Sequence, residues 1–273
     1  MKIGLLCNFY GFPQYTDKVL AAWKNISEVS VVAVSSFKYQ GYADCGWDID
    51  DTETPVQLLT DHRDFVDHMI IGKDGNDSFA RNPALFNILD HHDVDFVWLL
   101  DQDEIYSEED IRGAIKYISE NRSPVSTFRI NFKNFVFSEH QYVEDFKPPR
   151  IFSVNFMGSK TLSHFYYEND VNYVINGKKL SYKRLPISCI PKEVCFPDHY
   201  SWIGSPEFLK AKIKYQLKRY AEKAKEELGV IIDIENDDRD CSYRWNEKKG
   251  RLEFNKDFYK LNNIEIPDLK CIK

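Results

Sequence analysis

The residues best suited to chemistry form a short acidic segment directly after an apolar run. The run Phe96–Leu100 is followed by Asp101, Gln102, Asp103 and Glu104. In an extended chain, side chains two residues apart point the same way, so Asp101 and Asp103 can converge on one point. Neighbouring carboxylates repel each other, and a hard divalent cation is the usual compensation. Because such a cation often completes its coordination with phosphate oxygens and water, the segment predicts a metal–diphosphate site. The alternative is an acidic loop that leads into a helix, since an Asp-x-Asp pattern alone is a weak signal.

Alternating strands and helices would position this segment. Apolar or β-branched runs predict strands at Lys2–Cys7, Val29–Val34, His68–Ile71 and Phe96–Leu100. Periodic apolar residues predict helices at Tyr15–Lys24, at Asn82–Leu89 and directly after Ser107. This alternation favours the α/β fold class, with a doubly wound, mainly parallel sheet and flanking helices. Ligands bind at the carboxyl ends of the strands in such sheets, which is where the acidic segment falls.

Helix starts are marked by capping residues. Ser107 is a candidate N-cap with Asp110 three residues on, and Pro83 is expected in the first turn of its helix. In the second half, Ser205 can cap a long helix over Pro206–Leu228. The remainder of that half is richer in aromatic residues and predicts short strands, including a hairpin over Tyr173–Tyr182.

The composition excludes several classes of protein. The chain has 273 residues, a formal net charge of −7 and 15% aromatic residues, which argues against a disordered chain. Its apolar runs are far shorter than the roughly 20 residues that cross a bilayer, and its first residues do not resemble a signal peptide. The excess of acidic residues argues against a large nucleic-acid interface, which needs a basic surface, but does not exclude a nucleic-acid partner. Six scattered cysteines are typical of buried, reduced thiols in a reducing compartment, so a cytoplasmic location is expected.

Two sets of motifs resemble known glycosyltransferases. Ala80–Asn82 followed by Asp101–Asp103 resembles glycosyltransferase family 2 and its GT-A relatives, in which A-R-N opens a helix and the next strand ends in D-x-D. His199–Trp202 followed by Lys210–Ile213 resembles family 17, the N-acetylglucosaminyltransferases that act on β-linked mannose. The resemblance implies a GT-A-like fold with a smaller β-rich acceptor-side portion. It also implies metal-dependent, inverting transfer of a hexosyl or N-acetylhexosaminyl group from a nucleoside-diphosphate sugar to a hydroxyl.

The resemblance also implies roles for particular residues. Asp103 would be the direct ligand of a Mn²⁺ or Mg²⁺ cofactor. Asp101 would contact the ribose or a water molecule on the metal. Arg81 and Asn82 would lie near the nucleotide, and His199 would be a second ligand of the metal. Imidazole suits Mn²⁺ better than Mg²⁺, which adds a chemical argument for His199. The alternative for His199 is a packed or surface histidine.

Three further residues are candidates for the transfer itself. Arg150 could add a positive contact to the diphosphate. Asp198 and Glu207 are the nearest candidates for the general base that would take the proton of the acceptor. The chain departs from family 2 after its second strand, where Ser35 and Ser36 stand in place of the acidic residue that binds the base and ribose.

The predicted organisation is a single GT-A-like catalytic domain over residues 1–229 and a C-terminal extension over 230–273. Residues 1–122 would form the nucleotide-sugar-binding half of this domain and residues 123–229 the acceptor-side half. The expected partners are a nucleoside-diphosphate sugar and a glycan or another hydroxyl acceptor. A D-x-D phosphatase, a nucleotidyltransferase and a non-catalytic nucleotide-sugar-binding protein remain alternatives, because a fold does not fix a function.

Overall fold

The computed structural model describes residues 1–75, 77–121, 125, 127–156, 172–175, 178–181, 187–228, 241–261 and 263–272. The chain divides into two compact units. The first unit consists of Met1–Tyr39, Asp51–Lys133 and Asp145–His199, and the second of Gln40–Asp50, Asn134–Glu144 and Tyr200–Lys273.

Sixteen strands and seven α-helices are present in the described part of the chain. The strands are β1 Ile3–Asn8, β2 Val29–Tyr39, β3 His68–Gly75, β4 Phe96–Asp101, β5 Glu104–Ile105, β6 Thr127–Arg129, β7 Lys133–Val136, β8 Gln141–Val143, β9 Pro149–Ser153, β10 Asn172–Ile175, β11 Lys178–Ser181, β12 Ile187–Cys189, β13 Asp198–Trp202, β14 Tyr243–Asn246, β15 Arg251–Phe254 and β16 Lys270–Cys271. The helices are α1 Pro13–Ala21, α2 Gln40–Ala43, α3 Glu53–Thr60, α4 Asp77–His91, α5 Glu108–Asn121, α6 Pro206–Leu228 and α7 Lys256–Leu261.

A seven-stranded sheet in the order β12-β6-β9-β4-β1-β2-β3 forms the centre of the first unit. Strand β1 pairs in parallel with both β2 and β4, and β2 pairs in parallel with β3. Strand β9 is antiparallel to its neighbours β4 and β6. The predicted α/β class with a doubly wound, mainly parallel sheet is therefore confirmed.

The core of the first unit lies along the two central strands. Every residue from Phe96 to Leu100 is buried, as expected for a parallel strand covered on both faces. Helix α4 packs Leu85 and Ile88 against one side of the sheet, together with Leu6 and Leu99. The sheet is thus a rigid base for whatever follows the carboxyl end of β4.

The caps that the sequence predicts are formed. The backbone amide of Asp110 donates to Ser107 Oγ at 3.0 Å, and the amide of Ser107 donates back to Asp110 Oδ2 at 3.1 Å. This reciprocal pair is a capping box at the start of α5. The amide of Phe208 donates to Ser205 Oγ at 3.2 Å at the start of α6, whose predicted bounds are confirmed.

One predicted helix boundary is wrong. Helix α4 begins at Asp77 rather than at Asn82, so Pro83 lies inside the helix instead of in its first turn. A proline lacks the N–H that would bond to the preceding turn, which made it the expected start of the helix. Packing of α4 on the sheet outweighs this local cost. Asn87 donates a side-chain hydrogen bond to the Pro83 carbonyl at 3.0 Å.

The second unit is built from short strands and the long helix α6. Strands β7 and β8 form an antiparallel hairpin, β16 pairs with β8, and β14 pairs with β15 in another hairpin. A cluster of aromatic rings joins these strands, including stacked Phe135 and Tyr200 with ring centroids 4.6 Å apart. Described residues beyond 240, which the sequence assigned to a C-terminal extension, are part of this unit.

Four further predictions concern a hairpin, the cysteines, membrane-spanning helices and the domain boundary. The hairpin over Tyr173–Tyr182 is confirmed, because β10 and β11 pair antiparallel; its turn at Asn176 and Gly177 lies outside the described residues. All six cysteines are free thiols, but the expected burial holds only for Cys7, Cys195 and Cys241, because Cys189 and Cys271 are exposed. Among the described helices, none combines the length and apolar character that a membrane span requires. The predicted boundary between a catalytic domain and a C-terminal extension near residue 229 stays a prediction.

Candidate active site

The candidate site lies where the order of the central sheet reverses. From β1 the chain builds outward through β2 and β3, then returns to place β4 on the other side of β1. Such a switch point opens a crevice at the carboxyl ends of the two central strands, where α/β proteins bind ligands. Asn8 ends β1 and Asp101 ends β4, and the two are register partners. The acidic segment therefore begins at the ligand-binding edge of the sheet.

Asp101 is held by two buried arginines. Arg81, on α4, donates from Nη2 to Asp101 Oδ1, and Arg150, on β9, donates from Nη2 to Asp101 Oδ2 at 3.0 Å. Both arginines are at most 6% exposed, and the Asp101 side chain is 20% exposed. Each oxygen of a carboxylate has two lone pairs, so each can accept a further bond from a ligand hydroxyl. The arrangement fixes the direction of Asp101 while leaving it accessible.

Glu104 is the buried partner of Arg150, and the sequence analysis gave it no role. Arg150 Nε donates to Glu104 Oε1 at 2.7 Å, and the backbone amide of Asp101 reaches Glu104 Oε2 at 3.5 Å. Burial raises the pKa of Glu104 to about 8, although the Arg150 charge acts in the opposite direction. Glu104 and Asp101 together enclose the Arg150 guanidinium. Arg150 is thus charge-compensated within the protein, and its contact with a diphosphate stays a prediction.

Asp103 and His199 meet at the same edge. Strand β5 pairs antiparallel with the start of β13, in the register His199 to Glu104. This pairing places His199 Nε2 at 3.8 Å from Asp103 Oδ2. The Phe146 ring stacks on the imidazole with centroids 4.4 Å apart and planes 15° apart, and the Phe132 ring lies 5.6 Å away. The aromatic contacts fix the plane of a histidine that is only 5% exposed.

The Asp103–His199 pair fits a divalent cation in its donor chemistry. Carboxylate oxygen and imidazole nitrogen both bind Mn²⁺. With metal–ligand bonds of about 2.1 Å, one ion can reach two donors that are up to about 4 Å apart, and the 3.8 Å separation falls within this span. No cluster of three or more His, Cys, Asp or Glu side chains that could hold a metal is found among the described residues. A cation here would have two protein donors and would leave its other positions to ligand oxygens and water.

The two predicted general bases lie in different units. Asp198 begins β13 in the first unit and forms an ion pair with Lys133 at 2.9 Å. Because consecutive residues of a strand point to opposite faces, Asp198 and His199 do not share a face. Glu207 lies in the first turn of α6 in the second unit, where bonds from its own backbone amide and from Ser205 lower its pKa. Their roles in catalysis stay predictions, as does the contact of Asn82 with a nucleotide.

Sequence reasoning missed three contributors to this site. Glu104 was counted in the acidic segment but not as the partner of Arg150, because that contact spans 46 positions. Phe146 was one of many aromatic residues, with no local signal for stacking on His199. Asn8 ends β1 at the switch point, but the strand order that defines this point is seen only in the fold. Its Oδ1 atom is buried and has no hydrogen-bond partner among the described residues.

Solved structures similar to this chain have low sequence identity. TarS from S. aureus, as TarS 1-349 in complex with UDP-GlcNAc, has 15% identity and a TM-score of 0.46, and the match covers 84% of this chain and 68% of that chain. TarS 1-349 in another crystal structure has 14% identity and a TM-score of 0.44, with 80% of this chain and 65% of that chain covered. Glucosyl-3-phosphoglycerate synthase from Mycobacterium tuberculosis, in complex with Mn²⁺, UDP and phosphoglyceric acid, has 10% identity and a TM-score of 0.32, covering 48% and 43%.

The chain spans about two thirds of TarS 1-349 and less than half of the synthase. No protein-family model matches the sequence, and no curated protein matches it. The GT-A-like fold that the motifs predicted is confirmed in the order β3-β2-β1-β4 and in the antiparallel strand β9 beside β4. The role of the Asp101–Asp103 segment as a D-x-D motif stays a prediction.

Proposed function

We propose that this chain is a glycosyltransferase that uses a divalent cation to move a sugar from a nucleoside-diphosphate donor to a hydroxyl group. The observation that carries the proposal is the Asp103–His199 pair, with its donor atoms 3.8 Å apart at the switch point of the sheet. Two donors leave most of the coordination sphere to the oxygens of a diphosphate, as is usual for Mg²⁺ and Mn²⁺ sites that bind nucleotides.

The donor would be oriented by groups that the sheet fixes in place. Asp101 is locked between Arg81 and Arg150 and offers its remaining lone pairs to the ribose hydroxyls. Asn8 adds a buried acceptor atom beside it. Because these groups are preorganised, they bind a donor without losing side-chain freedom at that moment.

Departure of the nucleoside diphosphate is the difficult step, because negative charge develops on the leaving oxygens. A bound cation supplies Lewis-acid stabilisation of that charge. Asp103 and His199 would hold it, and Phe146 would keep the imidazole plane fixed. Asp198, which forms an ion pair with Lys133, is the proposed group that takes the proton of the acceptor hydroxyl, and Glu207 is the other candidate. We propose a hexosyl or N-acetylhexosaminyl donor and inversion at the anomeric carbon.

A hydrolysis screen tests the proposal directly. The protein is incubated with a panel of nucleotide sugars, in Mn²⁺ and separately in chelator, and the released nucleoside diphosphate is quantified. We expect release from at least one donor in Mn²⁺ and none in chelator. Asp103→Asn should lower that release by at least about 100-fold, because it removes the negative charge that holds the cation.

Asp93→Asn is the matched control, since Asp93 is a carboxylate whose side chain is 95% exposed on the surface of the same unit. It should leave release unchanged. Release of inorganic phosphate from simple phosphate esters, with no donor cleaved, would instead support a phosphatase. Full activity of Asp103→Asn would remove Asp103 from the site.

A further inference from the structure

The second unit contains a cavity that takes no part in the site described above. Its volume is about 1060 Å³, and it lies between the start of α6, the β14–β15 hairpin and the residues that precede β16. Ligand pockets in proteins commonly measure about 300–1,000 Å³, so the cavity has room for a small molecule or a short oligomer. Its wall combines aromatic rings with basic side chains.

The aromatic part of the wall consists of rings fixed by their neighbours. Trp202 is buried at the base of the wall, where it packs against Tyr243 with ring centroids 4.4 Å apart and lies 4.8 Å from the Lys212 ammonium. The Lys210 ammonium lies over the Trp245 ring, 5.2 Å from the ring centroid. Rings held in this way provide flat apolar surfaces at low entropic cost, which suits the C–H faces of a sugar ring.

Phe137 reaches this wall from a strained turn. Its φ angle is 68°, in the left-handed region that a bulky residue rarely adopts. The amide of Ser138 donates to the Val136 carbonyl at 2.8 Å, which closes a tight turn around Phe137. The turn sets the Phe137 ring edge-on to Phe254, with centroids 5.0 Å apart. Backbone strain of this kind costs about 1–3 kcal/mol and clusters at ligand-binding positions.

The charge of the wall is opposite to that of the whole chain. Four basic residues line the cavity against one carboxylate, that of Glu253, whereas the chain carries a net charge of −7. Glu253 accepts bonds from Lys249 at 2.8 Å and from Arg251 at 3.3 Å. The Lys249 bond, followed by a bond from Asn246 and by the Arg251 contact, lowers the pKa of Glu253 to about 2, so Glu253 is ionised and pairs with both basic side chains. Arg244 and Lys256 add the remaining positive charges.

We propose that this cavity binds a phosphorylated sugar. The sugar ring would lie against the Trp245 ring, and the phosphate would be recognised by arginine, whose planar fork matches its oxygens. The four basic residues of the wall outnumber the two carboxylates that pair with them, Glu253 and Asp257, so an anionic group is favoured over a neutral sugar. A free phosphate would leave the aromatic wall unused. The proposal is independent of glycosyl transfer, because none of these residues belongs to the Asp101–Asp103 site.

Binding is tested by calorimetric titration of the full chain with glucose 6-phosphate, with glucose and with inorganic phosphate at low ionic strength. We expect glucose 6-phosphate to bind at least about tenfold more tightly than either of the others. Its affinity should fall as salt is added, because the ion pairs are exposed. Equal affinity for inorganic phosphate would reduce the site to a simple anion site and overturn the proposal. No measurable binding of glucose 6-phosphate would also overturn it.

Variants assign the binding to this cavity. Trp245→Ala should weaken glucose 6-phosphate binding by about tenfold or more, and Trp245→Phe should retain most of it. Arg251→Gln should weaken binding of the phosphorylated sugar by a similar factor. Arg112→Gln, which removes a half-exposed arginine from α5 in the first unit, is the control and should bind as the wild type does.

Circular dichroism establishes that each variant is folded before titration. If Trp245→Ala does not fold, titration of Arg251→Gln, with Arg112→Gln as the control, tests whether the sugar phosphate binds in this cavity. Arg251 is 66% exposed, so its replacement should leave the fold intact. Unchanged affinity in Arg251→Gln would show that glucose 6-phosphate binds elsewhere.

Discussion

Asp101 and Asp103 are separated by one residue but have different surroundings. Asp101 faces two arginines that compensate its charge, whereas Asp103 faces the imidazole of His199. A guanidinium competes with a cation for the same carboxylate, so the two residues are suited to different tasks. Asp103 is the stronger candidate for direct ligation, and Asp101 is the stronger candidate for orienting the nucleotide. The spacing alone could not separate these roles, because the arginines come from α4 and β9.

The Arg150–Glu104 contact should dominate the stability of the site. Arg150→Met leaves the buried Glu104 carboxyl group, which is largely protonated near neutral pH, without its hydrogen-bond donor. The free energy of unfolding should fall by about 1–3 kcal/mol. The double variant Arg150→Met/Glu104→Leu should recover much of this loss, because two apolar side chains replace the buried pair. Urea denaturation of the three proteins measures both effects. A loss below about 1 kcal/mol in the single variant would show that the pair is not held as described.

The raised pKa of Glu104 predicts a pH dependence of stability. Its folded-state pKa of about 8 lies above the ordinary value of 4.5, so between these pH values the folded chain holds a proton that the unfolded chain releases. The free energy of unfolding should therefore fall as the pH rises from 4.5 through about 8. Urea denaturation at several pH values should show this decline in the wild type.

Glu104→Gln isolates this effect, because a side-chain amide does not titrate in this range. The decline with pH should be shallower in the variant, and histidine titrations common to both proteins cancel in the comparison. Parallel pH profiles for the two proteins would assign the proton to another group.

At the scale of elements, some strands and helices are determined by residues that are close in sequence, and others depend on contacts between distant residues. The strands β1 and β4 and the helices α5 and α6 were predictable, because apolar runs and capping residues are encoded locally. The start of α4 was not, since packing on the sheet outweighs the local effect of Pro83. The sequence also predicted the acidic segment and His199 as separate features. Their approach depends on β5 pairing with β13, a contact between residues about 95 positions apart.

The cap of α5 supports the segment that carries Asp103, because this helix begins directly after β5. Ser107→Ala removes the acceptor for the amide of Asp110 and should lower the free energy of unfolding by about 1 kcal/mol. Thermal or urea denaturation measures this change. Ser119→Ala near the other end of α5 is the control, and it should change stability by less than about 0.5 kcal/mol. Equal effects of the two substitutions would contradict a specific role for the cap.

At the scale of the whole molecule, the chain contains two compact units with different chemistry. All residues of the Asp101–Asp103 site, from Asn8 to His199, belong to the first unit, and the aromatic and basic cavity belongs to the second. Each can therefore be tested by variants that leave the other unchanged. The sequence pointed to the first site through its motifs. It gave no comparable signal for the second, whose residues are dispersed between Phe137 and Leu269.

The most direct measurement is a crystal structure of the protein with Mn²⁺ and a nucleoside diphosphate, with data collected at the manganese absorption edge. The account predicts one anomalous peak within about 2.3 Å of both Asp103 Oδ2 and His199 Nε2, with diphosphate oxygens in its remaining positions. A nucleotide bound at another edge of the sheet, or manganese that contacts neither residue, would contradict it.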